Sequence, residues 1–175
     1  MRFHETPLPG AYVLEPERIE DARGFFARTW APDELAARGL DAALAYEAVS
    51  FNARRGTLRG MHFQAEPHEE TKVVRCTAGS VFDVIVDLRA GSATRHKTFA
   101  IELSAANRLA LYVPKGFAHG FQTIEEASEV LYLISAPYVA EAGRVLHHAS
   151  PAFAIRWPLA VSVISDRDAA AERVR

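Results

Sequence analysis

The stretch Gly56-Thr-Leu-Arg-Gly-Met-His-Phe-Gln64, followed by Lys72, gathers Arg59, His62, Gln64 and Lys72 into one strand-like region. A guanidinium, an imidazole and an ammonium group this close suit a phosphorylated substrate that must lose a proton. A neutral imidazole at about pH 7 takes a proton from carbon when a nearby cation stabilises the resulting oxyanion. His62 fits that base role, a metal-ligand role or a hydrogen-bonded core position. Arg59 matches the paired oxygens of a phosphate. Lys72 reads as an oxyanion stabiliser, as the partner of Asp83, or as both. Downstream, Tyr112-Val-Pro-Lys-Gly-Phe-Ala-His-Gly-Phe121 supplies His119 in a turn-rich setting. Asp166 and Asp168 read as a solvated acidic loop or as the source of a carboxylate that holds an imidazole in one tautomer. By residue type alone Tyr132 and Tyr138 are packing aromatics. His4, His96, His147 and His148 read as surface residues.

A metal centre is the rival chemistry. Pro114-x-Gly116-x-x-His119 resembles the second histidine motif of metal-binding cupins, whose first motif carries a His-x-His pair and a glutamate. Here Gln64 takes the second place of that pair, and an amide is a poor ligand for zinc or iron. No metal is therefore expected. Cys76 is the only cysteine. It excludes an intrachain disulfide and reads as a small buried apolar residue.

These groups must be placed by a scaffold, and the chain reads as many short strands. Extended segments are expected at Ala11–Leu14, Gly24–Trp30, Tyr46–Phe51, Thr57–Gln64, Thr71–Thr77 and Ser80–Leu88. Others are expected at His96–Ser104, Arg108–Val113, Gly120–Ile124 and Ser128–Ser135. Turn residues break them at short, fairly regular spacing, the rhythm of an all-β sandwich or barrel. Pro32–Gly39 predicts a short helix, with proline and acids at its start and glycine past its end. The last residues read as a frayed helix or loose tail. Strand alternation puts Gly60, His62 and Gln64 on one face, Lys72, Val74 and Cys76 on one face, and Asp83, Ile85 and Asp87 on one face.

With 175 residues the chain fits one domain, spanning 1–175. Its 49% hydrophobic and 24% charged residues are ordinary for a globular protein. A formal net charge of −2 argues against a general nucleic-acid binder, so the basic residues are site chemistry. No apolar run is long enough for a membrane helix, and no signal peptide is evident. A cytoplasmic location is expected.

On these residues the chain resembles the dTDP-4-dehydrorhamnose 3,5-epimerase family. The motifs that carry the resemblance are Arg23-Gly-Phe-Phe26, Leu58-Arg-Gly-Met-His-Phe-Gln64, Lys72-Val-Val-Arg75 and Gly79-x-Val-Phe-Asp-Val-Ile-Val-Asp-Leu-Arg89. Val113-Pro-Lys-Gly-Phe-Ala-His-Gly-Phe121, Leu131-Tyr132, Trp157-Pro158 and Ser165-Asp-Arg-Asp168 complete the set. The resemblance implies a cupin-like double-stranded β-helix, or jelly roll, with a few short helices. It implies a homodimer without metal or organic cofactor, acting on a nucleoside-diphosphate 4-keto-6-deoxy sugar in deoxysugar biosynthesis. It implies His62 as base, Asp168 as its orienter, Tyr132 as the acid on the opposite sugar face and Lys72 as enolate stabiliser. Arg59, His119, Tyr138 and Arg167 would line the nucleotide-sugar pocket. Arg23 and Phe26 would enter a partner subunit's site.

The chain departs from the family in the binding shell. Arg28 stands where the rhamnose-pathway enzymes usually carry glutamate, and Glu47-x-Val49-x-Phe51 replaces their Gln-x-Asn-x-Ser run. A carboxylate at Glu47 accepts a hydrogen bond from cytosine's amine, which thymine lacks, so a CDP sugar is an alternative substrate. An Arg28–Glu47 ion pair away from ligand is the plainer reading. A ketoisomerase, a single-centre epimerase and a non-catalytic sugar-binding cupin are the remaining alternatives.

Overall fold

The computed structural model describes residues 1–175. Its first half holds β1 (Arg2–Glu5), β2 (Tyr12–Glu15), β3 (Ile19–Asp21), β4 (Gly24–Phe26), α1 (Pro32–Ala36), β5 (Tyr46–Asn52), β6 (Leu58–Gln64) and β7 (Lys72–Ala78). Its second half holds β8 (Ser80–Asp87), β9 (Thr98–Ser104), β10 (Ala110–Val113), β11 (Phe117–Thr123), β12 (Ser128–Ile134), β13 (Gly143–Val145) and α2 (Asp166–Ala169). No helix is long and apolar enough to cross a membrane.

The strands form a six-stranded sheet, β1-β2-β10-β7-β12-β5, and a five-stranded sheet, β13-β6-β11-β8-β9. A β3–β4 hairpin stands apart. Alternation decides what each face holds. Val74 and Cys76 of β7 and Val130 of β12 meet Val81, Ile85, Phe117 and Phe121 from the other sheet in one buried cluster. This is the inside of a cupin-like jelly roll. On the outer face of the five-stranded sheet, Met61, Val84, Val86 and Ala118 are covered by Phe153, Ile155 and Trp157. On the outer face of the other sheet, Leu35 of α1 covers Val73, Ala110 and Tyr112.

The expected strands appear with shifted ends, and the differences have local causes. The Gly24–Trp30 strand stops at Phe26, because only the short hairpin partner Ile19–Asp21 is there to pair with it. The helix at Pro32 runs for 5 residues and closes in a tighter turn through Arg38 and Gly39. His119 lies within a strand and not in a turn. Gly116, at φ +78°, completes the reversal, so β11 begins at Phe117. The C-terminal tail is tied down: Leu146 bridges Glu172, and the Ala152 N–H donates to the Val174 carbonyl at 3.3 Å. His147 is buried and stacks on His148 with ring centroids 4.4 Å apart, contrary to the surface expectation for both. Burial lowers the pKa of each imidazole.

One irregularity positions the site. Between β6 and β11, His62 pairs with His119 and Arg59 pairs with Phe121, so β6 carries an extra residue. Such a bulge resets which side each residue faces. Strict alternation sends Arg59 to the face opposite His62, but the bulge returns it to the His62 side. The two backbones touch here. A Cβ on Gly60 would sit 2.6 Å from Gly120 Cα and 2.8 Å from the His119 oxygen, and Gly60 has φ +120°. Only glycine meets both demands. Gly60→Ala is accordingly expected to cost about 3 kcal/mol or more in urea unfolding. A loss below about 1 kcal/mol would show that the strands separate easily at this point.

Candidate active site

The site is built where the end of the chain crosses β6. Leu58 N–H donates to the Val163 carbonyl at 2.8 Å and begins the attachment. The Ser165 hydroxyl then caps α2 by accepting from the Asp168 N–H at 3.1 Å. This turn drives the Asp168 side chain back against β6. One carboxylate oxygen lies 2.8 Å from Nε2 of His62, and the other accepts the Gly60 N–H at 3.0 Å. Asp168 is buried, whereas the His62 side chain is 40% exposed. Burial pushes the Asp168 carboxyl up, but the bonds from His62 and Gly60 outweigh it and hold it below the ordinary carboxylate range.

A neutral imidazole that donates from Nε2 to a carboxylate presents Nδ1 as a lone pair. His62 therefore has the arrangement of a general base with a fixed tautomer. It lines a cavity of about 390 Å³ with Leu58, Arg59, Ser165, Arg167 and Asp168. A second cleft shares His62 and Arg167 and adds Gln64, Glu70 and Tyr138.

The cations are held in different ways. Lys72 is buried and pairs with Glu70 at 3.1 Å, not with Asp83. Its Nζ also donates to the His62 carbonyl at 3.4 Å. Lys72 begins β7, beside the loop that carries Glu70, so the loop carboxylate reaches it first. Arg59 donates from Nε to the Asn52 side chain at 2.7 Å, which orients its guanidinium and leaves its far edge open to the cavity. The Gln64 amide donates to the His68 carbonyl, to Glu70 and to the Pro137 carbonyl, and accepts from Val139 N–H at 2.7 Å. It is a structural tie.

Asp83 pairs instead with His119, 2.8 Å from Nε2. The buried His119 ring meets the Tyr132 ring edge-on, with centroids 5.9 Å apart. This pair lies deeper in the barrel than Arg59 and His62. Burial pushes the Tyr132 phenol well above its ordinary range; Asp83 adds to the rise and Arg59 opposes it. With His62 and His119 both committed to aspartates, no group of three or more His, Cys, Asp or Glu side chains is placed to hold a metal ion. Burial lifts the Cys76 thiol to about 11, the behaviour of an inert core cysteine.

The remaining expected residues lie elsewhere. Arg23 forms an ion pair with Asp21 on the β3–β4 hairpin, where Phe26 is exposed. Arg28 is exposed and makes no ion pair with Glu47. Glu47 points out of the barrel, towards Trp30, Arg75, Leu131 and Leu133. The reason is register: Ala48 pairs with inward-facing Tyr132, so Tyr46, Ala48, Ser50 and Asn52 face in, while Glu47, Val49 and Phe51 face out. Glu47 thus lies on the outer face of this chain's barrel, away from the cavity that His62 lines. Asn52, Glu70 and Ser165 also belong to the site, through Arg59, Lys72 and Asp168 respectively. Ser165 was legible as a helix cap three residues ahead of Asp168. Asn52 and Glu70 carried no such signal.

Fold and dyad define a class: a cupin-like jelly roll whose inner wall presents a carboxylate-held imidazole for acid–base chemistry. The chain belongs to the dTDP-4-dehydrorhamnose 3,5-epimerase family, whose model matches residues 5–175. A dTDP-4-dehydrorhamnose 3,5-epimerase from Sinorhizobium fredii is 39% identical over 169 residues, covering 96% of this chain and 87% of the relative. The crystal structure of the Bacillus anthracis enzyme of that name, with TDP and PPi bound, superposes with a TM-score of 0.95 at 36% identity, covering 99% of both chains. A 3'-monoepimerase from Streptomyces bikiniensis, in complex with dTDP-quinovose, superposes with a TM-score of 0.89 at 28% identity, over 97% of this chain and 86% of that one.

The depressed Asp168 carboxyl has a consequence for stability. Its contribution is fully present above the unfolded value of about 4 and is lost as pH falls through the lower folded value. At neutral pH, Asp168→Asn is expected to be less stable than the unaltered chain by about 1–3 kcal/mol. That gap should narrow below about pH 4. A gap that stays constant with pH in chemical unfolding would show that the carboxylate charge contributes nothing.

Proposed function

We propose that this protein inverts carbon centres next to the ketone of a nucleoside-diphosphate 4-keto-6-deoxy sugar, without metal or organic cofactor, in deoxysugar biosynthesis. The observation that carries the reading is the 2.8 Å His62–Asp168 pair on the cavity wall of a chain in this family. Nδ1 of His62 takes the proton from C3 or C5. The C–H electron pair forms a C=C bond to C4, and the ketone oxygen becomes an enolate oxygen beside the Lys72 ammonium. Tyr132 delivers a proton to the opposite face and the ketone re-forms, leaving the carbon inverted. The substrate already carries the ketone, so no redox step is needed. Arg59 and Arg167 hold the diphosphate, with Tyr138 at the pocket edge. A thymidine nucleotide is the expected carrier, as for the relatives.

The direct test is proton exchange in deuterium oxide with chelator-treated protein. His62→Ala should slow deuterium wash-in at both carbons by about 10²–10⁴-fold while the fold persists. Tyr132→Phe should keep wash-in and lose inversion. Full exchange in folded His62→Ala, or a rate that returns only when metal is added, would overturn the reading. Inversion at a single carbon is the second reading, favoured by the similarity to a monoepimerase. Label at C3 alone would establish it.

The chain acts as a homodimer in the cytoplasm, with residues 1–175 as one unit. Phe25, Phe26 and Ile19 on the hairpin and Val49 and Phe51 on edge strand β5 are exposed at 43–69% relative area, an apolar surface suited to a second copy. Arg23 and Phe26 then complete the partner's site. Mixing Arg23→Ala with His62→Ala should restore activity that neither has alone, because one site in the mixed dimer keeps both groups. No restoration in a sample shown by light scattering to be a mixed dimer would place Arg23 outside the site.

A further inference from the structure

Asp83 on β8 is a fully buried carboxylate that the proton transfers leave unused. One oxygen lies 2.8 Å from Nε2 of His119, and the other has no hydrogen-bond partner. A bare carboxylate oxygen in a protein interior is costly, and such groups are rare. No lysine or arginine forms an ion pair with it: Lys72 is paired with Glu70, and Arg59 donates to Asn52. The imidazole that shares its charge meets the ring of Tyr132 edge-on, with the two planes at 79°.

We propose that Asp83 and His119 are positioning residues for Tyr132: the imidazole fixes the ring, and the bare carboxylate opposes the build-up of negative charge on the phenol oxygen. This rests on Tyr132 being the proton donor. A phenolate formed in a buried space beside a carboxylate is a like-charge pair and is disfavoured. After Tyr132 passes its O–H proton to the sugar carbon, the phenolate left behind recaptures a proton from water.

The groups facing Tyr132 are few. Asp83 comes from β8 and His119 from β11. Arg59 comes from β6, and Lys72, with its partner Glu70, lies at the start of β7. Cys76 comes from β7, and Tyr46 lies on the inward face of β5. Arg59 is the cation that opposes Asp83, and the phenol is nevertheless pushed above its ordinary range, first by burial and then by Asp83.

The test is ultraviolet titration of phenolate in the full chain without substrate. Tyr132 is isolated by subtracting the matching Tyr132→Phe spectrum in each background. In the unaltered chain Tyr132 should contribute no phenolate through the ordinary tyrosine value of about pH 10. In Asp83→Asn its ionisation should begin lower than in the unaltered chain by on the order of one pH unit, still above the ordinary tyrosine value because burial, the larger cause, remains. Asp83→Glu disturbs packing but keeps the charge, so it should titrate like the unaltered chain. If Asp83→Asn does not fold, Asp83→Val removes the charge at similar volume and carries the same expectation. Identical titration with and without the charge overturns the proposal. So does a Glu variant that behaves like the Asn variant, because loosened packing would then be the cause. Since no substrate is present, failure of the epimerase assay leaves this result standing and indicts the reaction instead.

Discussion

The structure depends on one buried carboxylate. Asp168 leaves water when the end of the chain folds across β6, and that transfer is unfavourable unless the carboxylate is hydrogen-bonded. The His62 imidazole, the Gly60 N–H and the α2 cap at Ser165 supply what it needs. The same bonds do three jobs. They close the C-terminal segment over the sheet, hold β6 at its bulge, and set which nitrogen of His62 remains free. The contact that stabilises the fold therefore also orders the His62 imidazole before any substrate arrives.

A second carboxylate–imidazole pair, Asp83 with His119, sits deeper in the barrel and differs in its surroundings. Asp168 is satisfied on both oxygens, while Asp83 is bare on one. His62 is partly open to the cavity, while His119 is enclosed and rests on an aromatic ring. The pairing of His62 with His119 across neighbouring strands brings both imidazoles inward. One chemical unit occurs twice, once with its imidazole open to the cavity and once with it enclosed. The difference lies in solvent access and in what fills the second oxygen.

Much of this was legible in the residue pattern, for physical reasons. Alternation in Val81 to Asp87 correctly divides Asp83 and Ile85 from Phe82 and Val84, because both faces of that strand are covered and a slip would misplace every residue. What escaped depends on the third dimension. The extra residue in β6 leaves no periodic trace over so short a strand, so Arg59 could not be turned inward from its position alone. β3 and β13 span only 3 residues each, too few to show alternation. Asp83 is separated from Lys72 and from His119 by different loops, and only sheet order settles that it takes the histidine. The outward turn of Glu47 is the most instructive case. Its position relative to the Gly56 turn resembles a binding residue, yet the pairing of β5 with β12 points it away from the barrel. Glu47 thus belongs to the outer sheet surface of this chain.

The measurement that bears most directly on this account is the tautomer of His62. Nitrogen-15 chemical shifts of the labelled imidazole, read by long-range proton–nitrogen correlation at neutral pH, distinguish the two ring nitrogens. The account predicts a proton on Nε2, held by Asp168, and a bare Nδ1, with the two forms mixed in Asp168→Asn. A proton on Nδ1 in the unaltered chain would leave no lone pair facing the substrate and would contradict the assignment of His62 as the base.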